Sequence, residues 1–178
     1  HGLREDGPFD VVHAYWAQPA GRLVAPLARQ MGIPSVVTLD SGEFAALPDI
    51  GYGLQSTLRG RWAVRTATRL ATRLSVCSTY QAELARAHGL GPAVIPLGVD
   101  LSTFPRRADT DAAEGPPFRL LTVASLNPVK DHATLLEAMA RLRARGIDVT
   151  LDVVGEDTMG GRLHTLAGRL GLAGHVLF

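Results

Sequence analysis

Between Arg119 and Val154 the sequence RLLTVASLNPVKDHATLLEAMARLRARGIDVTLDVV sets one lysine, Lys130, between a strand-like apolar run and an amphipathic helix. In an open parallel sheet, ligands lie beyond the carboxyl ends of the strands, where a lysine and unpaired helix N–H groups both favour an anion. Ser125 and Asn127 share this loop and add a hydroxyl donor and a side-chain amide. Gly155 ends the run LDVV and lets a ligand come close to the backbone. The same spacing fits a solvated lysine on an ordinary strand-to-helix turn, and spacing alone leaves both readings open.

A second group lies at Thr38-Leu39-Asp40-Ser41-Gly42-Glu43, where the run SVVTL meets two carboxylates and a hydroxyl. Asp40, Ser41 and Glu43 can hydrogen-bond sugar hydroxyls, or one acid can raise the other's pKa if the two lie close. The alternative is an Asx-type turn at Asp40 and Ser41 with Glu43 in water. His13, in DVVHAYW, ends another strand facing the same region, with Tyr15 and Trp16 expected to pack at the strand end rather than stack on a ligand. No side chain here can be assigned as a catalytic base.

The elements that must hold these groups alternate along the chain. DVVHAYW, SVVTL, LSVCS and AVIPL read as strands, and helical stripes lie between them. Ala20 to Met31 forms one stripe, a helix from about Leu54 to Ala71 a second, and Tyr80 to His88, stopped by Gly89, a third. Leu120, Leu121, Val123 and Ala124 read as a parallel strand covered on both faces, with Asp131 in the first turn of the helix that follows. Such alternation predicts an α/β fold with parallel sheets. RRADTDAAEGPP is charged, small and proline-terminated, which divides the chain into a first lobe over 1–103, a linker over 104–117 and a second lobe over 118–178.

Composition excludes several classes. The formal net charge of +1 over 178 residues gives no general electrostatic case for nucleic acid. The single cysteine, Cys77, cannot form an intrachain disulfide and is expected to be a buried small hydrophobe. No apolar run approaches the ~18 residues of a membrane span, so a cytoplasmic protein is expected. Gly51-Tyr52-Gly53 lacks the third glycine and the leading strand of a dinucleotide fingerprint. Asp109-Thr110-Asp111 has no strand before it and reads as solvated charge, and the six histidines show no metal-ligand spacing. Arg61, Arg65, Arg69 and Arg73 recur every fourth residue, a helical stripe drifting about 40° per step. It is either a solvated helix face or a surface for anionic lipid heads.

VIPLGVDLSTF from Val94 to Phe104, then TVASLNPVKD and DVVGED, resembles the retaining glycosyltransferases of family 4, also called glycosyl transferases group 1. The resemblance covers most of the chain. It implies a GT-B fold, of which this chain carries parts of two Rossmann-like parallel-sheet lobes. It implies transfer of a sugar from a UDP-, GDP- or ADP-sugar to a glycan or lipid-linked hydroxyl acceptor with the anomeric configuration kept, with no further cofactor and no metal. In that family an arginine and a lysine on this loop bind the donor diphosphate; Lys130 matches the lysine, and Ser125 stands where the arginine would be. Asp40 stands where the family often has histidine. The resemblance further implies an internal piece of a longer protein, inactive alone, with the family's pair of donor-contacting glutamates beyond Phe178. A nucleotide-sugar epimerase of the same fold and an inactive nucleotide-sugar-binding remnant are the alternatives.

Overall fold

The computed structural model describes residues 9–104 and 115–178, so the Asp109-Thr110-Asp111 segment and most of the expected linker lie outside the described residues. The chain divides into two units, His1–Phe104 and Pro105–Phe178. Each is a parallel sheet with helices between consecutive strands.

In the first unit, β1 (Val12–Tyr15), β2 (Ser35–Leu39), β3 (Arg73–Val76) and β4 (Ala93–Val94) lie in the order β1-β2-β3-β4, all pairs parallel. The crossovers are α1 (Arg22–Gln30), α2 (Leu58–Leu70) and α3 (Thr79–Ala87). Strands in sequence order joined by right-handed crossovers place every helix on one face. The core follows that rule: Ala14, Val37, Leu39 and Val76 from the strands pack with Ala25, Val64, Ala67 and Ala82 from the helices. Caps set the helix starts, since Thr57 and Ser78 accept hydrogen bonds from the N–H groups of Gly60 and Gln81.

The second helix is shorter than its periodicity suggests. It begins at Leu58 after a separate short turn, Leu54–Ser56, and ends at Leu70. Ser35 and Thr72 exchange two hydrogen bonds, Ser35 N–H to Thr72 Oγ1 at 3.0 Å and Thr72 N–H to Ser35 Oγ at 3.3 Å. That exchange pins the entry of β3, so Arg73 pairs opposite Val36 in the sheet and leaves the arginine stripe. Of the four stripe residues, Arg61, Arg65 and Arg69 share α2.

In the second unit, β5 (Phe118–Val123), β6 (Val149–Val154) and β7 (Val176–Leu177) are parallel in that order, linked by α4 (His132–Ala144) and α5 (Arg162–Arg169). Leu136, Met139, Leu163 and Ala167 pack on Val149, Leu151 and Val153 of the central strand. The expected cover on both faces of β5 is absent. Both crossovers lie on one side, and Leu121 and Val123, opposite Asp152 and Val154, are 66% and 71% exposed on the other. Asp131 is not within the first turn of α4 but caps it, its Oδ1 accepting from Thr134 N–H at 3.3 Å.

Candidate active site

In the second unit, the chain leaving β5 is tied to the chain leaving β6. Leu126 donates its N–H to Glu156 O at 2.8 Å, and its carbonyl accepts from the Thr158 N–H and hydroxyl. Gly155 stands where these two segments touch, because a Cβ there would collide with the Ala124 carbonyl. Its smallness therefore serves backbone packing at the strand ends. Asp157 stiffens the second segment by accepting N–H groups of Met159 and Gly161, each at 2.7 Å, and these bonds hold its carboxyl below the usual range.

Ser125, Asn127 and Lys130 all lie on the first segment, at the carboxyl end of β5. Asn127 Oδ1 accepts from the N–H groups of Val129 (3.0 Å) and Lys130 (3.3 Å), so it builds the short turn Pro128–Lys130. With those N–H groups engaged and Asp131 capping α4, the helix start offers a ligand few free backbone donors. The side-chain donors left are the exposed Lys130 ammonium, the exposed Ser125 hydroxyl and the Asn127 amide nitrogen. No carboxylate among the described residues pairs with Lys130. Sequence spacing gave no reason to single out His132. It opens α4 beside Asp131, is 4% exposed, and its Nδ1 has no hydrogen-bond partner among the described residues.

In the first unit, a cavity of about 350 Å³ opens at the carboxyl ends of β1 and β2, lined by Trp16, Gln18, Ser41, Glu43, Tyr52 and Leu54 among others. Glu43 is not in water: it is 1% exposed, and its Oε1 and Oε2 accept from Ala17 N–H (3.1 Å) and Ser41 N–H (2.8 Å). One carboxylate thus fastens the segment after β1 to the loop after β2. The segment it fastens is strained, since Trp16 holds φ 67, a region a bulky residue rarely visits. Tyr15 and Trp16 are not packed away as expected but are 46% and 49% exposed. Tyr52 comes from far along the loop and rests over Gly42, where a Cβ would lie 2.8 Å from the ring.

Asp40 and His13 lie apart from this cavity. The Asp40 carboxylate lies near the Cys77 thiol, and burial together with that carboxylate pushes the Cys77 pKa up. Cys77 is accordingly only half-buried and has a polar neighbour, contrary to the expected apolar setting. His13 Nε2 meets Thr38 Oγ1 at 2.7 Å, and Thr38 Oγ1 meets Ser75 Oγ at 2.7 Å, a polar chain across three strands. Of the four first-unit candidates, Ser41 and Glu43 are therefore gathered around one cavity. Its aromatic wall, Trp16 and Tyr52, joins residues 36 positions apart, which no local spacing announces.

Residues 2–98 match the model of the family described as Glycosyl transferase 4-like domain, and residues 106–178 match Glycosyl transferases group 1. The chain is 29% identical to the Bacillus subtilis protein named "Putative glycosyltransferase EpsF", covering all of this chain and 48% of that protein. It is 28% identical to the Mycolicibacterium smegmatis GDP-mannose-dependent alpha-(1-6)-phosphatidylinositol monomannoside mannosyltransferase, over 88% of this chain and 41% of that protein. A third relative, over 57% of this chain and 25% of its own length, is 27% identical and is named "Putative teichuronic acid biosynthesis glycosyltransferase TuaC", also of Bacillus subtilis. The chain thus spans about half or less of the length of the curated relatives it matches.

Proposed function

From the premise that this chain belongs to the glycosyl transferase 4-like, group 1 family, we propose that it supplies the donor-phosphate and acceptor-sugar contacts of a retaining glycosyltransferase of GT-B type. The donor is a nucleotide sugar, and its diphosphate lies against the loop after β5. The observation that carries this reading is Lys130: an exposed ammonium at the carboxyl end of a parallel strand, without a carboxylate partner among the described residues, in the unit that matches the group 1 family. As the bond to the sugar breaks, negative charge grows on the departing diphosphate. An ammonium and a hydroxyl on this loop stabilise that charge more than the ground state, which is electrostatic catalysis. Ser125 and the Asn127 amide each add a neutral donor.

The acceptor sugar occupies the first unit's cavity. Trp16 and Tyr52 present rings to its apolar face, and Ser41 and Glu43 receive its hydroxyls. A carboxylate has about four lone-pair sites, and backbone N–H groups use one on each oxygen of Glu43, which leaves capacity for a hydroxyl. The relative whose name specifies phosphatidylinositol monomannoside supports a glycan or glycolipid acceptor, as does the one named for teichuronic acid biosynthesis. The test is to incubate the intact protein with UDP-, GDP- and ADP-sugars and a glycan acceptor, separating nucleotide, free sugar and glycoside. Release of nucleotide coupled to a glycoside of unchanged anomeric configuration is expected. An epimerised nucleotide sugar, or no consumption of any donor, would refute it.

A further inference from the structure

The first unit carries a second cavity, of about 220 Å³, between α2 and the end of α3, walled by Arg61, Arg65, Arg69 and His88 over an apolar floor that includes Phe44 and Leu90. We propose that this cavity is a binding site for a phosphate-ester or diphosphate group, separate from the acceptor cavity and from the loop after β5. The inference does not rest on the transfer reaction.

Three guanidiniums four residues apart on one helix face repel one another, so gathering them on one concavity costs free energy that a bound anion would offset. Arg61 stands in the first turn of α2, where the macrodipole also disfavours a cation. Local preference therefore does not explain its place. Its position is nonetheless fixed: Nε donates to Gln55 O at 2.8 Å, which leaves the terminal nitrogens of the fork free. No carboxylate lines the cavity, and none among the described residues pairs with these three arginines. His88 is set in the wall by its ring contact with Phe44, centroids 5.0 Å apart. A guanidinium fork matches the oxygens of a phosphate two at a time, which a point charge does not. The volume is below the ~300–1,000 Å³ of drug-sized ligand sites, so the occupant is a headgroup-sized anion rather than a whole nucleotide. The apolar floor accommodates the first carbons of an ester or lipid.

The test uses the full chain, with the arginine Nε–H and backbone amide NMR signals followed during titration with sodium pyrophosphate. In parallel, the chain is sedimented with phosphatidylcholine vesicles with and without phosphatidic acid. Saturable shifts at Arg61, Arg65 and Arg69 are expected in the first arm if the source is a free phosphate, and co-sedimentation only with phosphatidic acid in the second if it is a lipid headgroup. In whichever arm binds, Arg65→Gln combined with Arg69→Gln should weaken it by about tenfold or more, with Arg65→Gln alone intermediate. Arg73→Gln, in β3 outside the cavity, should leave it unchanged. Retained amide spectra show that the variants are folded. No binding in either arm overturns the proposal. So does binding that Lys130→Ala abolishes and the arginine variants do not, which would place the anion on the loop after β5.

Discussion

Replacing Glu43 by alanine should destabilise the first unit by about 2–5 kcal/mol, because the carboxylate serves two backbone donors that have no other acceptor among the described residues. Ala17 is fully buried, so its N–H loses its partner where water cannot easily replace it, at about 1–3 kcal/mol. Ser41 is exposed and recovers a water, so losing its bond costs about 1 kcal/mol or somewhat more. Glu43→Gln keeps one acceptor oxygen but turns an NH2 group toward the other donor, and should fall between wild type and alanine. Both tryptophans, Trp16 and Trp62, lie in the first unit, so urea unfolding followed by their fluorescence reports that unit alone. The expected result is a lower midpoint with the slope unchanged, in the order wild type, Gln, Ala. Release of the clamp also frees Trp16 from its strained φ, so its fluorescence should shift before unfolding begins. If Glu43→Ala costs less than about 0.5 kcal/mol, the carboxylate is not the fastening of this loop and the assignment of the cavity wall fails.

Asp157 gives the second unit an acid-sensitive element. Its folded pKa is depressed by the N–H groups of Gly161 and Met159, so its stabilising contribution is complete above the ordinary value of about 4 and vanishes as pH falls through the lowered one. Asp157→Asn should flatten the acid limb of that unit's stability, measured by amide exchange between pH 2 and 6; an unchanged limb would contradict the assignment. Cys77, with its pKa raised by burial and by Asp40, should react with iodoacetamide at pH 8 more slowly than a free thiol, and Asp40→Asn should speed it. Equal rates for the two proteins would show that Asp40 does not face the thiol.

The alternation of strands and helices was legible in the sequence because it is written in local periodicity, and so was the placing of Lys130 after β5. What was not legible depends on contacts between distant residues. TLDSGEF gives no sign that Glu43 would turn inward, since its partner is the N–H of Ala17, 26 residues earlier. The exposure of Leu121 and Val123 was equally hidden, because an apolar run states what a strand can bury and not whether a layer covers it. The arginine period continues through Ala71 and Thr72, but the exchange of hydrogen bonds with Ser35 ends the helix where no glycine or proline marks a stop. Asn127 and Asp131 are ordinary cap residues by type, and their spacing hid that they would engage the N–H groups first assigned to a ligand.

The most direct test of the proposed donor site is the kcat/KM of Lys130→Ala, beside Ser125→Arg and wild type, measured for sugar transfer by the intact enzyme with its true donor. A charge-assisted hydrogen bond of about 1.5–3 kcal/mol predicts a loss of roughly 10- to 150-fold for Lys130→Ala, larger if the contact tightens in the transition state. Ser125→Arg, which restores a second cation on the same loop, should recover part of that loss when the two changes are combined. If Lys130→Ala keeps kcat/KM within about twofold of wild type, the lysine is a solvated surface residue and the diphosphate is held elsewhere.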